Sequence, residues 1–239
     1  MQYNNGKLPI YAYLLGEYSI RGWWYYFPVI FFLKTPLGFW LLFIPHLFLF
    51  KRFFAKDFLA ETAIVMAVAI LGLFFVVVCR VQLGVRYLLP LLPFLCLSLG
   101  KCGRYYTQPG IMIKKIGIGL GLVCYVASSL SYYPHFIPYA NALLVHRINL
   151  YQYFADSNLD WNQSDHDLAR YIAAQPSGTV FVNPEHPVNG TVIVNANALL
   201  GLFLDREKYA WLREHFRPVD HDAAGGGNGP WYLLDRYVR

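Results

Sequence analysis

The chain has 239 residues and is 56% hydrophobic and 18% aromatic but only 14% charged, against about 25% charged residues in a soluble domain. That composition, with a mean hydropathy of +0.35, excludes a disordered, coiled-coil or collagen-like chain and is unlike an ordinary soluble globule. The net charge of +6 divides at Pro134: residues 1–134 balance at +9 and residues 135–239 at −3, and neither part holds the basic stripe that nucleic-acid binding requires.

In chain order, residues 1–34 read as an external loop and interfacial aromatic segment. It closes on Trp23-Trp24-Tyr25-Tyr26, a cluster suited to a membrane–water interface or to a plain aromatic core. Residues 35–134 hold four apolar stretches near the roughly 20 residues that a bilayer span needs. They are 35–50 with Pro36 and Pro45, the uncharged run 62–79, 81–100 with Arg86, Pro90 and Pro93, and 116–134. Basic loop residues orient them. Lys51, Arg52, Lys56, Lys101, Arg104, Lys114 and Lys115 fall on one side, Arg80 and Arg86 on the other. This predicts that the N-terminus and residues 135–239 face outward. The first loop has no apolar leader before it, so an upstream half is expected.

Residues 135–239 are expected to form an extracytoplasmic module. A helix is predicted over 165–174 with Ser164 as its cap, strands over 179–182 and 191–194, a helix over 208–216 and a last strand over 231–234. The run Ala-Ala-Gly-Gly-Gly-Asn-Gly at 223–229 is a turn rather than a phosphate cradle, since no helix start follows it. The expected fold class is therefore a polytopic α-helical membrane protein of about four spans with a small α/β module outside. Cys79, Cys96, Cys102 and Cys124 lie in the apolar part without ligand spacing and read as small hydrophobes.

Several residues carry chemical interest. Arg86, followed by Tyr87 and two prolines, is either a clamp for a lipid phosphate or an arginine snorkelling to the interface, with Arg80 as a weaker second. Glu17 and Arg21 are either an acid–base or acceptor group or a structural ion pair. The run from Asp156 to Gln163, with Asp160 and Trp161, offers hydrogen bonds and an aromatic face to a sugar, or turn and capping residues. Asp165-His166-Asp167 and Asp220-His221-Asp222 read as solvated charge before they read as metal ligands, because neighbours on a helix diverge. Gly117, Gly119 and Gly121 favour close helix packing over a nucleotide site.

Three stretches carry a resemblance. They are Tyr13-Leu14-Leu15-Gly16-Glu17-Tyr18-Ser19 continuing to Pro28 and Thr35-Pro36, Arg86-Tyr87-Leu88-Leu89-Pro90-Leu91-Leu92-Pro93, and Pro134-His135 to Asn141 with Asp156-Ser157-Asn158-Leu159-Asp160-Trp161 and Gln163. Together the chain resembles the C-terminal portion of polyprenyl-phosphate-dependent glycosyltransferases of the GT-C fold, the superfamily of protein O-mannosyltransferases and aminoarabinose transferases. It departs at Asn162 and Ser164, where the pattern usually has Gly and Asp.

The resemblance implies inverting sugar transfer on the outer face of the cytoplasmic membrane, from a polyprenyl-phosphate donor to a hydroxyl of a protein, lipid or glycan. In it Arg86, with Arg80, neutralises the leaving phosphate, and Glu17, Arg21, Asp160, Trp161 and Gln163 shape the sugar or acceptor site. The carboxylate base is expected in an external loop of the N-terminal half, outside this sequence. No cofactor is implied, and a divalent metal is left open. The other reading is a non-catalytic polytopic scaffold, partner subunit or transporter fragment, although Arg86 is the one charge approaching mid-membrane and it lies near a span end.

Overall fold

The computed structural model describes residues 3–4, 8–9, 11–53, 58–79, 81–100, 112–144, 147–203, 206–215 and 231–234. Arg80, Lys56, Cys102, the 101–111 loop, the glycine-rich run at 223–229 and the Asp220-His221-Asp222 triplet lie outside them.

Four short strands open the chain as two antiparallel hairpins, β1 (Tyr3–Asn4) with β2 (Leu8–Pro9) and β3 (Ala12–Leu14) with β4 (Glu17–Ser19). Helix α1 (Tyr26–Lys34) follows and ends at Thr35-Pro36, because a residue before proline is driven out of the helical region. Thr35 is accordingly extended, at φ −107° and ψ 131°. The chain turns there by 116° into α2 (Leu37–Phe53), which tolerates Pro45 inside it.

The carbonyls freed at that corner are taken up by Asn141. Buried Asn141 donates its side-chain amide to Phe32 O at 2.7 Å and Thr35 O at 3.3 Å, and its main-chain N–H to Leu33 O at 2.8 Å. Lys34 Nζ donates to Ile137 O and to Asn158 O, both at 2.6 Å. Every orphan group at a helix end needs such a partner once water is excluded.

Helix α3 (Phe58–Leu73) runs into a π turn, Phe74–Val78. A 3-10 helix (Val85–Leu91) continues as α4 (Leu92–Gly100), and α5 covers Met112–Leu130. α2 and α5 cross closely at two glycines. A Cβ on Gly38 would overlap Gly121 O and come within 2.5 Å of Tyr125 N, and one on Gly121 would come within 2.8 Å of Leu42. Small residues let helix backbones approach in this way. Gly117 faces open space, so within the predicted glycine run the contact rests on Gly121. Buried His46 reaches Ser98 Oγ at 2.8 Å, linking α2 to α4.

No single helix among the described residues is long and apolar enough to cross a membrane, but the bent pair α1 with 37–47 meets that length and composition together. Much of the apolar side chain on these helices faces outward: Leu41, Met66, Ile70, Val77, Leu97 and Val123 are each at least half exposed.

The C-terminal part mixes helix and strand. α6 (Asp165–Ala173), β5 (Val180–Val182), β6 (Thr191–Asn195), α7 (Ala196–Leu200), α8 (Ala210–His215) and β7 (Trp231–Leu234) follow in order. β6 is central, parallel to β5 and antiparallel to β7. Val192, Ile193 and Val194 are all buried, as a middle strand covered on both faces requires. β5 and β6 fall on the two β-branched runs. Ser164 holds the N-cap position of α6, but its buried hydroxyl makes no capping bond and has no partner among the described residues, which corrects the expected side-chain cap.

One apolar cluster joins the two parts: Tyr26, Phe27 and Ile30 of α1, Phe75 of the π turn and Leu88 pack with Phe154, Leu159, Val192, Val194, Leu199 and Tyr209. Trp24 of the aromatic cluster is 67% exposed while Tyr26 is buried, so the cluster supplies both a surface ring and a core ring.

Candidate functional site

A cavity of about 580 Å³ opens where the 3-10 helix carrying Arg86 meets residues 156–165 and the start of α7. Polar and apolar groups share its wall about equally: Arg86, Asp156, Asp160, Asn183, Asn195 and Asn197 line it, with Trp161 and Phe203 as its aromatic surfaces.

The cavity exists because the turn Asp156–Asn158 plugs into the segment before Arg86. Buried Asn158 accepts the Val85 N–H at 2.9 Å, and its side-chain amide donates to Tyr26 Oη and Ala155 O, both at 3.2 Å. Ser157 Oγ donates to Leu83 O. Gly84, at φ +153°, sits against Ser157, where a Cβ would overlap the hydroxyl. The main chain entering the Arg86 helix and the main chain of the turn are thus locked together. Arg86 then stacks its guanidinium over Trp161, 4.4 Å from the ring centre, and lies 5.2 Å from that of Tyr87. A cation held over a ring keeps its N–H edge available while losing rotational freedom.

The carboxylates and asparagines form a hydrogen-bonded circuit. Asn197 Oδ1 accepts the Asp156 N–H at 2.7 Å, and Asn195 Oδ1 accepts the Asn197 N–H at 2.8 Å as the N-cap of α7. Asn195 Nδ2 donates to Asp160 Oδ2, and Asn183 Oδ1 accepts the Asn195 N–H at 3.0 Å. Asp160 Oδ1 accepts the Asn162 N–H at 2.8 Å. Asp156 Oδ1 accepts the Ser157 N–H at 2.6 Å. Burial pushes the Asp156 carboxyl up to about 6; the Ser157 N–H and the Arg86 charge oppose that rise, and the Asp160 charge adds to it.

Of the residues singled out in the sequence, Arg86, Asp160 and Trp161 come together in this wall. Gln163 stands behind it: its Oε1 accepts the Trp161 N–H at 2.6 Å and its Nε2 donates to Leu159 O at 2.8 Å, which fixes the turn that carries the indole. Asn162 has φ +59°, a left-handed conformation that Gly and Asn adopt most readily, so Asn suits this turn as Gly would. Glu17 and Arg21 are both exposed, line no part of the cavity and form no ion pair with one another. Arg80 lies outside the described residues.

The sequence reading passed over Asn183, Asn195, Asn197 and the separate character of Asp156. For Asp156 a signal existed, since it opens the polar run; the asparagines had none beyond their place after β-branched runs. In the Asp165-His166-Asp167 triplet, Asp167 faces His135 at 3.3 Å and Arg170 at 3.5 Å, while His166 bonds Arg170 at 3.1 Å. Among the described residues no three His, Cys, Asp or Glu side chains converge as metal ligands.

The sequence matches no family model, and no curated protein or solved structure is found to be similar to it.

Proposed function

We propose that the chain is part of a membrane glycosyltransferase that moves a sugar from a polyprenyl-phosphate donor to an acceptor hydroxyl on the extracytoplasmic face. The observation that carries this reading is Arg86, stacked on Trp161 in the wall of a cavity whose other polar residues are aspartates, asparagines and Ser157. Sugar hydroxyls are donors and acceptors at once, and Asp with Asn answers both; an indole face suits the C–H side of a pyranose. A guanidinium beside them supplies the bidentate charge that a departing phosphate needs, the kind of electrostatic stabilisation that dominates many transfers.

Membrane embedding is part of the proposal. It is supported by the outward-facing apolar side chains of α2 to α5 and by the low charge of residues 35–134. The cavity is lined by Arg86 and by residues between 156 and 203, all on the side that the orientation rule reads as outward.

The test is release of polyprenyl phosphate by the full chain in lipid vesicles, offered a panel of polyprenyl-phosphate-linked hexoses and pentoses. Arg86→Ala is expected to lower the rate about 100-fold or more and Arg86→Lys about 10-fold, because a point charge lacks the fork. Arg86 variants that release polyprenyl phosphate at the wild-type rate would favour the scaffold reading.

A further inference from the structure

We propose that Asp156 is the proton acceptor of this cavity, taking the acceptor's hydroxyl proton as that oxygen attacks the anomeric carbon of the sugar. This rests on the transfer reading and departs from what the resemblance implies, which places the base in another half of the protein. The step balances within the named groups. The O–H proton passes to Asp156 Oδ2, and a bond forms from the acceptor oxygen to the anomeric carbon. The bond from that carbon to the phosphate oxygen breaks, its electron pair leaving with polyprenyl phosphate beside Arg86.

Three carboxylates line the cavity, and their surroundings separate them. Asp160 has both oxygens engaged, one by the Asn162 N–H and one by the Asn195 amide. With both oxygens taken, neither is open to an incoming hydroxyl. Asp165 is exposed, in the first turn of α6. Asp156 differs. One oxygen accepts the Ser157 N–H, while Oδ2 receives no hydrogen bond from the described residues. Burial disfavours its charge and raises its affinity for a proton.

The main chain points the same way. Asp156 has φ +60°, a region that a non-glycine residue enters at a cost unless its surroundings hold it there. Here they do. Asn197 holds its N–H, and Ser157 and Asn158 clamp the next two residues to Leu83 and Val85. The turn therefore keeps a strained carboxylate in the wall that contains Arg86. The charged and titratable groups around it are Arg86 from the 3-10 helix, Asp160 from its own loop, the Tyr26 hydroxyl from α1 and Asp165 from α6.

The test follows donor consumption by the full chain in vesicles from pH 4.5 to 8, with the same panel of polyprenyl-phosphate sugars. Wild-type kcat/KM is expected to rise about tenfold between pH 5 and 7, as an acceptor titrating near 6 requires. Asp156→Asn keeps an acceptor for the Ser157 N–H; it should lose about 100-fold in kcat with KM for the donor nearly unchanged, and lose the pH rise. Asp160→Asn, though slower, should keep the rise. In Asp156→Gly the left-handed backbone is relaxed, and added formate should restore part of the rate.

An Asp156→Asn chain with the wild-type rate or pH profile overturns the proposal, and so does a folded Asp156→Gly chain that formate does not rescue. A wild-type chain inert toward every donor overturns the claim that this chain supplies the base, whereas inactivity of the whole protein containing it removes the transfer reading itself.

Discussion

At Asp156 stability and chemistry pull in opposite directions. Its carboxyl titrates near 6 in the folded protein against an ordinary 3.8. Between about pH 4 and 6 the folded chain holds a proton that the unfolded chain has released, so this group's contribution to stability falls as pH rises through that window and stays low above it. Replacing Asp156 by Asn removes the penalty. Thermal unfolding of the full chain in detergent should show the variant more stable than wild type by roughly 1–2 kcal/mol above pH 6, with the gap closing toward pH 4. A constant gap across the range would mean that the carboxyl is not strained by burial. Active sites commonly accept such a loss, and the variant that kills transfer should be the one that melts later.

The elements explain which parts of the site could be read in advance. Arg86, Asp160 and Trp161 each belong to a local pattern, a charge among apolar residues or a polar run with an indole, and local patterns survive in a sequence. The strands on 180–182 and 191–195 were legible for the same reason, being β-branched runs between turn residues. Asn195 and Asn197 were not. They meet Asp160 and Asp156 across 35 and 41 positions, and nothing local marks a residue whose partner is that far away. Glu17 and Arg21 differ in the opposite sense: their types suggested chemistry, but Glu17 in β4 and Arg21 just after it lie exposed, outside the cavity wall.

Helix packing shows the same limit, since the sequence offered three glycines on α5 and the crossing uses Gly121 against Gly38. A methyl at Gly38 would meet backbone, which cannot swing aside as a side chain can. Gly38→Ala should therefore lower stability by about 1–3 kcal/mol, while Gly117→Ala, facing open space, should leave the melting temperature of the detergent-solubilised chain unchanged or higher. Equal effects at the two positions would contradict the crossing.

Taken whole, the molecule does not divide cleanly at residue 35 or 135. α1 packs into the same apolar cluster as β6, α7 and Tyr209, and its last residue is tied by Lys34 to Ile137 and Asn158. Lys34→Met keeps a long stem but leaves two carbonyls without their donor, a loss of about 1–2 kcal/mol. The sharper expectation is loss of cooperativity: limited proteolysis should cut wild type in one slow phase and the variant first between residues 135 and 160. Wild-type resistance in the variant would show that the shared core alone joins the parts.

The turn at Asp156–Asn158 also sets a timetable. Tyr26, Lys34 and Val85 each bond to Asn158, which is made 132, 124 and 73 residues after them. At about 5–20 residues per second, synthesis leaves those groups waiting for several seconds or more. Through that interval the nascent chain holds an open socket, and the site comes into being when a three-residue plug arrives late to fill it.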